Sequence, residues 1–184
     1  FIMQGARIEA NGTADEPIVF SSEDYQFHPN APWGGVVLLG NAPIGSSEET
    51  PTTTPVRIFE GLTTDLATYG GDAADDSSGS MSYVRIEYGG DVIVSDREIN
   101  GLTLAGVGSG TTLPHVMVNR TMDDCFEWFG GTVDAEYLIC ESPGDDMFDT
   151  DENYRGHLQF LFGRVSEPGT SADPNGFEWD GNQQ

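Results

Sequence analysis

The stretch Asp123-Asp124-Cys125-Phe126-Glu127-Trp128 decides the fold, because the chain repeats it. It returns as Asp145-Asp146-Met147-Phe148-Asp149-Thr150-Asp151 and again as Asn175-Gly176-Phe177-Glu178-Trp179-Asp180. Asn100-Gly101-Leu102-Thr103-Leu104 is a degenerate earlier copy. Aligned on the apolar residue, the spacings are 24, 22 and 29 residues. After each of the first three copies a second β-rich run opens, at His115, Glu136 and Leu158. A period in the low twenties with two or three short strands is what one coil of a solenoid requires.

The rest of the chain agrees. Helical periodicity is nearly absent. Apolar residues come in short β-rich runs such as Pro17-Ile18-Val19-Phe20, Val36-Val37-Leu38-Leu39 and Tyr83-Val84-Arg85-Ile86-Glu87-Tyr88, bounded by Gly, Asp, Asn, Ser and Pro. An antiparallel sandwich also has short strands, but it gives no reason for one hexapeptide to recur at coil length. The sequence therefore predicts an all-β, right-handed parallel β-helix over residues 1–184, with coils of roughly 22–29 residues. Stacking aligns Leu102, Phe126, Phe148 and Phe177 as an inward ladder. Residues 41–55 and 61–80 are polar and rich in turn formers, and are read as surface excursions between coils. The chain opens inside an apolar segment and closes directly after a strand-like motif, so it reads as a segment of a longer polypeptide.

Charge narrows the function classes. The chain carries 31 acidic and 7 basic residues, a formal net charge of −24, and every basic residue is Arg. A field of that sign repels phosphate backbones and anionic lipid, which argues against nucleic acid as a partner and against membrane insertion. It favours bound cations. Cys125 and Cys140 are read either as a disulfide or as two buried thiols.

The same stacking places Asp124 over Asp146 over Asn175, and Glu127 over Asp149 over Glu178. Like carboxylates one coil apart repel once water is partly excluded. Such rows need cations between coils, raised pKa values or hydrogen-bond donors. Calcium suits them, since it takes six to eight oxygen ligands in flexible geometry, whereas magnesium demands a tighter octahedron and zinc prefers His or Cys. The expected metal ligands are Asp123, Asp124, Glu127, Asp145, Asp146, Asp149 and Asp151. The plainer alternative is that these acids cap turns by accepting backbone N–H groups. Trp128 and Trp179 would form a glycan-stacking platform if their rings face outward. His28, His115 and His157 form no ligand spacing.

Gly5-Ala6-Arg7-Ile8-Glu9-Ala10-Asn11-Gly12-Thr13, Trp33-Gly34-Gly35-Val36-Val37-Leu38-Leu39-Gly40-Asn41 and the two Asp-Asp-x-Phe strings resemble secreted β-helix repeat proteins of marine and environmental bacteria. More distantly, Asp-Asp-x-Phe-Asp is similar to pectate-lyase-like β-helices that hold calcium with stacked Asp residues. The resemblance implies the fold and an extracellular or cell-surface location, and carries little about activity. Three readings compete. The favoured one is a non-enzymatic structural or adhesive module stiffened by calcium, with a polysaccharide or a neighbouring protein subunit as its partner. The second is a calcium-dependent polysaccharide lyase. That chemistry needs a cation and a Lys or Arg base; the chain has no Lys, and Arg155 is hard to deprotonate. The third is a glycoside hydrolase using paired carboxylates. The Gly-His-Gly and Arg-Ile-Lys signatures of the polygalacturonase kind are missing. No catalytic residue is therefore assigned.

Overall fold

In a computed structural model of the chain, Leu102, Phe126 and Phe148 stand opposite one another in adjacent parallel strands, so the 24- and 22-residue spacings are coil lengths. The structure describes residues 1–23, 33–45, 56–59, 61–94, 97–167, 169, 171 and 174–180. The chain is an all-β parallel β-helix. Its first coil runs through β1 (Ile8–Asn11), β2 (Ile18–Phe20) and β3 (Val36–Leu39). An excursion follows, containing β4 (Arg57–Ile58) and β5 (Thr68–Tyr69), which pair antiparallel. The second coil takes β6 (Gly79–Ser82) and β7 (Val84–Glu87), then a hairpin of β8 (Asp91–Val94) and β9 (Arg97–Ile99), then β10 (Leu102–Ala105). Three tighter coils complete the stack: β11 (Leu113–Asn119) with β12 (Phe126–Phe129), β13 (Ala135–Glu141) with β14 (Phe148–Asp151), and β15 (Leu158–Arg164) with β16 (Glu178–Trp179).

The coils build two five-stranded parallel sheets. One has the order β16-β14-β12-β10-β3 and the other β15-β13-β11-β7-β2. β1 and β6 form a third, two-stranded parallel sheet, which the Ser80–Thr112 bridge carries into the next coil. There Gly79 has φ +104, and a Cβ would sit 1.9 Å from the Ile8 carbonyl oxygen, so only glycine allows this stacking.

Strand alternation sorts the side chains. Leu102, Leu104, Phe126, Trp128 and Phe148 point inward from the first sheet, and Val84, Ile86, Val116, Val118 and Leu138 from the second, forming one buried core. Phe126 and Phe148 stack with ring centroids 5.4 Å apart. Phe177 continues the ladder 5.4 Å from Phe148, but it lies on the last coil and is 52% exposed. Cys125 and Cys140 are disulfide-bonded inside the core, which settles the choice left open above.

The second excursion departs from its reading as a polar surface loop. Ala67 and Tyr69 are buried, and with Phe59 and Ile99 they cover Val37, Leu39, Ala105 and Phe129 on the outer face of the first sheet. Phe59 meets Phe129 edge-on at 5.8 Å. Burial of a few large apolar groups outweighs the polar composition of the segment around them. Tyr69 donates its hydroxyl proton to the buried Glu152, which also pairs with Arg57, so the excursion is tied to the turn after β14. Residues 46–55, within the first excursion, and His28 lie outside the described residues.

Candidate metal centre

The turns leading into β10, β12, β14 and β16 each carry an Asn or Asp two residues before the ladder position, and these stack, whereas the turn into β3 has Gly34 there. Asn100 Oδ1 accepts the Asp124 N–H at 3.2 Å. One coil on, Asp124 Oδ1 accepts the Asp146 N–H at 2.9 Å, and Asp146 Oδ1 accepts the Asn175 N–H. Asp124 and Asp146 are buried, and each uses one oxygen to satisfy a turn amide of the next coil. The turn-capping role weighed from the sequence is thus present, and for Asp124 it leaves a second carboxylate oxygen with other work.

Around this column two groups of carboxylates converge. Asp123, Asp124 and Asp145 each bring an oxygen within 4.8 Å of the others, and so do Asp124, Glu127 and Asp149. Asp124 belongs to both. Glu127 and Asp149 face outward at matched positions on β12 and β14, with Glu178 matched on β16. Asn100 Nδ2 donates to Glu127 Oε2. Asp149 Oδ1 is buried and meets no hydrogen-bond donor.

The electrostatics follow from crowding. Burial pushes the Asp123 carboxyl up to about 7, with Glu98, Asp145 and Asp146 adding repulsion. Burial, then Glu178 and Asp151, push Asp149 up to about 8. Asp124 rises well above the ordinary carboxylate range for the same reasons, burial first and Asp123 next. Glu178 reaches about 7, chiefly through its hydrogen bond with Asp146. A cation among these oxygens would replace protons as the source of compensation.

The other expected ligands sit apart from the two groups. Asp146 accepts from Asn175 through both oxygens and also shares a hydrogen bond with Glu178. Asp151 takes the row of Phe129, and its Oδ1 accepts the Glu152 N–H at 2.5 Å. The expectation of a glycan platform fails for Trp128. Its indole is fully buried, because alternation turns it to the same side as Phe126. Trp179 is exposed and stands edge-on to Phe177. Glu98, on β9, was missed in the sequence; it sits in a hairpin whose run carries no trace of the repeat.

A family model described as a pectate-lyase like beta helix domain matches residues 1–184. The chain belongs to the pectate-lyase-like β-helix family. No curated protein and no solved structure matches it. Within a pectate-lyase-like β-helix, the donor set at these turns is made of hard oxygens in two overlapping groups, and the buried Asp149 Oδ1 lacks a donor. That set fits calcium in chemistry, since carboxylate oxygens are its preferred ligands and waters complete the shell.

Proposed function

We propose that the chain is an extracellular, non-enzymatic structural or adhesive β-helix module whose coils are held together by calcium at Asp123, Asp124, Glu127, Asp145 and Asp149. The observation that carries this reading is the pair of converging carboxylate groups sharing Asp124. Each joins acids of one coil to an acid of the next, so an ion in either would cross-link β12 and β14 through their turns. Asp146 and Asp151 serve the same site by capping and by charge. A rigid solenoid stiffened in this way presents a fixed surface to a polysaccharide or a neighbouring subunit, as a cell-surface module requires. The buried disulfide supports an oxidising, exported setting.

Calorimetric titration tests the site. Calcium should bind the native chain with a heat signal that Asp149→Asn removes, while sodium at equal ionic strength gives none. Absence of binding at millimolar calcium would overturn the reading. Release of unsaturated or reducing ends from a uronate polymer, lost on changing Asp124, would move the site to the enzymatic class.

A further inference from the structure

We propose that the outer face of the second five-stranded sheet is where two copies of this chain dock. The two large sheets differ in what their outer faces meet. The outer apolar residues Val37, Leu39 and Ala105 of the first sheet are covered by the chain's own excursion. On the second sheet Val19, Ile139 and Phe162 stand in one outward row, and they are exposed. A parallel row beside them stacks Tyr83, His115, Tyr137 and Phe160, with ring centroids 4.5, 4.5 and 4.7 Å apart. The rows border a groove of about 600 Å³.

The stacked residues have φ of +49, +58, +57 and +59, a left-handed conformation that bulky side chains rarely adopt. Each strand of β11, β13 and β15 kinks there, and the register steps over the ring-bearing residue. The kink turns four rings into a continuous wall beside the groove.

Charge selects the occupant. In a chain of net charge −24, no Asp or Glu lines this groove among the described residues, and its side chains include Arg85 and His115. On one border Glu87 pairs with Arg85 at 2.5 Å and Glu141 with Arg164 at 2.6 Å, so the acids there are matched. Pro114, Glu136 and Gln159 form the other border, with one acid among them. An apolar centre with a polar rim is the anatomy of a protein interface, and this rim carries three further acids, Glu136 and, between the groove-lining Ala14 and Pro17, Asp15 and Glu16. At the groove itself a strongly acidic partner meets little like charge. A second copy is such a partner and brings a matching apolar face. The 28 residues of the five strands, at about 4.8 Å by 3.3 Å each, cover roughly 440 Å² per copy. That falls below the roughly 800 Å² of a standard interface, so the dimer should be weak and concentration-dependent.

Sedimentation velocity of the 184-residue chain in calcium buffer, from low to several hundred micromolar, provides the test. The mass should rise from monomer to dimer with concentration, and added sodium chloride should strengthen association by screening the −24 charge. The double variant Ile139→Glu, Phe162→Glu changes residues 39% and 57% exposed, so it should stay folded, with a lowered melting temperature because the two are cross-strand partners and like charges then face each other. It should weaken the dimer roughly a hundred-fold. Phe160→Glu alone is the second variant, should the double one be unstable, and should also weaken the dimer. A chain that stays monomeric throughout would overturn the proposal and leave the face to a different partner. So would a dimer that salt weakens or that these variants leave intact.

Discussion

Asp124 Oδ1 accepts the Asp146 N–H while the same carboxylate belongs to both acidic groups, so an amide and a methyl at this position should behave differently. Asn keeps the accepting oxygen, as Asn100 does for Asp124 itself. Asp124→Asn should therefore lose the calcium response yet be at least as stable as the parent in chelator, because a buried charge is gone. Asp124→Ala also leaves a buried amide unpaired and should cost about 1–3 kcal/mol more. Denaturant unfolding in chelator and in calcium separates the two. The same residues set a pH dependence. Asp123 and Asp149 rise from an ordinary 3.8 to about 7 and about 8, and Glu152 rises from 4.5 to about 7, mainly through burial. The folded chain thus holds protons that the unfolded chain has released. Their contribution to stability is full below about pH 4 and is lost as pH climbs through about 7 to 8. In chelator the melting temperature should fall from pH 5 to pH 8 for this reason, and the calcium increment should grow over the same window. Melting curves at constant ionic strength check both trends.

Phe148 shows what the stacked strands contribute as elements. It is buried between Phe126 and Phe177, each ring 5.4 Å away. Phe148→Ala should cost about 3–5 kcal/mol, read as a lowered denaturant midpoint. β12 and β14 were legible because their repeats carry a turn acid and an inward ring together, and β10 and β16 followed as copies with Asn in place of the acid. Trp128 was legible too, since period-two alternation already puts it on the side of Phe126; the pull of an aromatic ring beside acids obscured this. The cover made by Phe59 and Tyr69 was not legible: Val56-Arg57-Ile58-Phe59 reads as a strand with no sign of what it packs on, and one ring at Tyr69 leaves the polar composition of residues 61–80 unchanged. Nor were the kinks at Tyr83, His115, Tyr137 and Phe160, which carry no Gly or Asn to mark a positive φ. The capping column could be located from the repeat, but which acids cap and which are left for a cation depended on distances.

Across the whole molecule, 31 acids face seven Arg, and that imbalance makes two explanations of any salt effect compete. General screening relieves repulsion everywhere, whereas a bound ion acts at the turns joining β12 and β14. A ligand that binds only the folded chain adds about 2.7 kcal/mol at a hundred times its dissociation constant, enough to read as a shift of several degrees. The decisive measurement is the melting temperature of the parent and of Asp149→Asn at one ionic strength, in chelator, sodium chloride, magnesium and calcium. The parent should melt lowest in chelator and in sodium chloride and be restored by calcium more than by magnesium. Asp149→Asn should melt higher than the parent in chelator and show no calcium increment. Equal rescue of the parent by sodium chloride and calcium, or a calcium increment that survives in Asp149→Asn, would contradict a specific calcium site at the stacked turns.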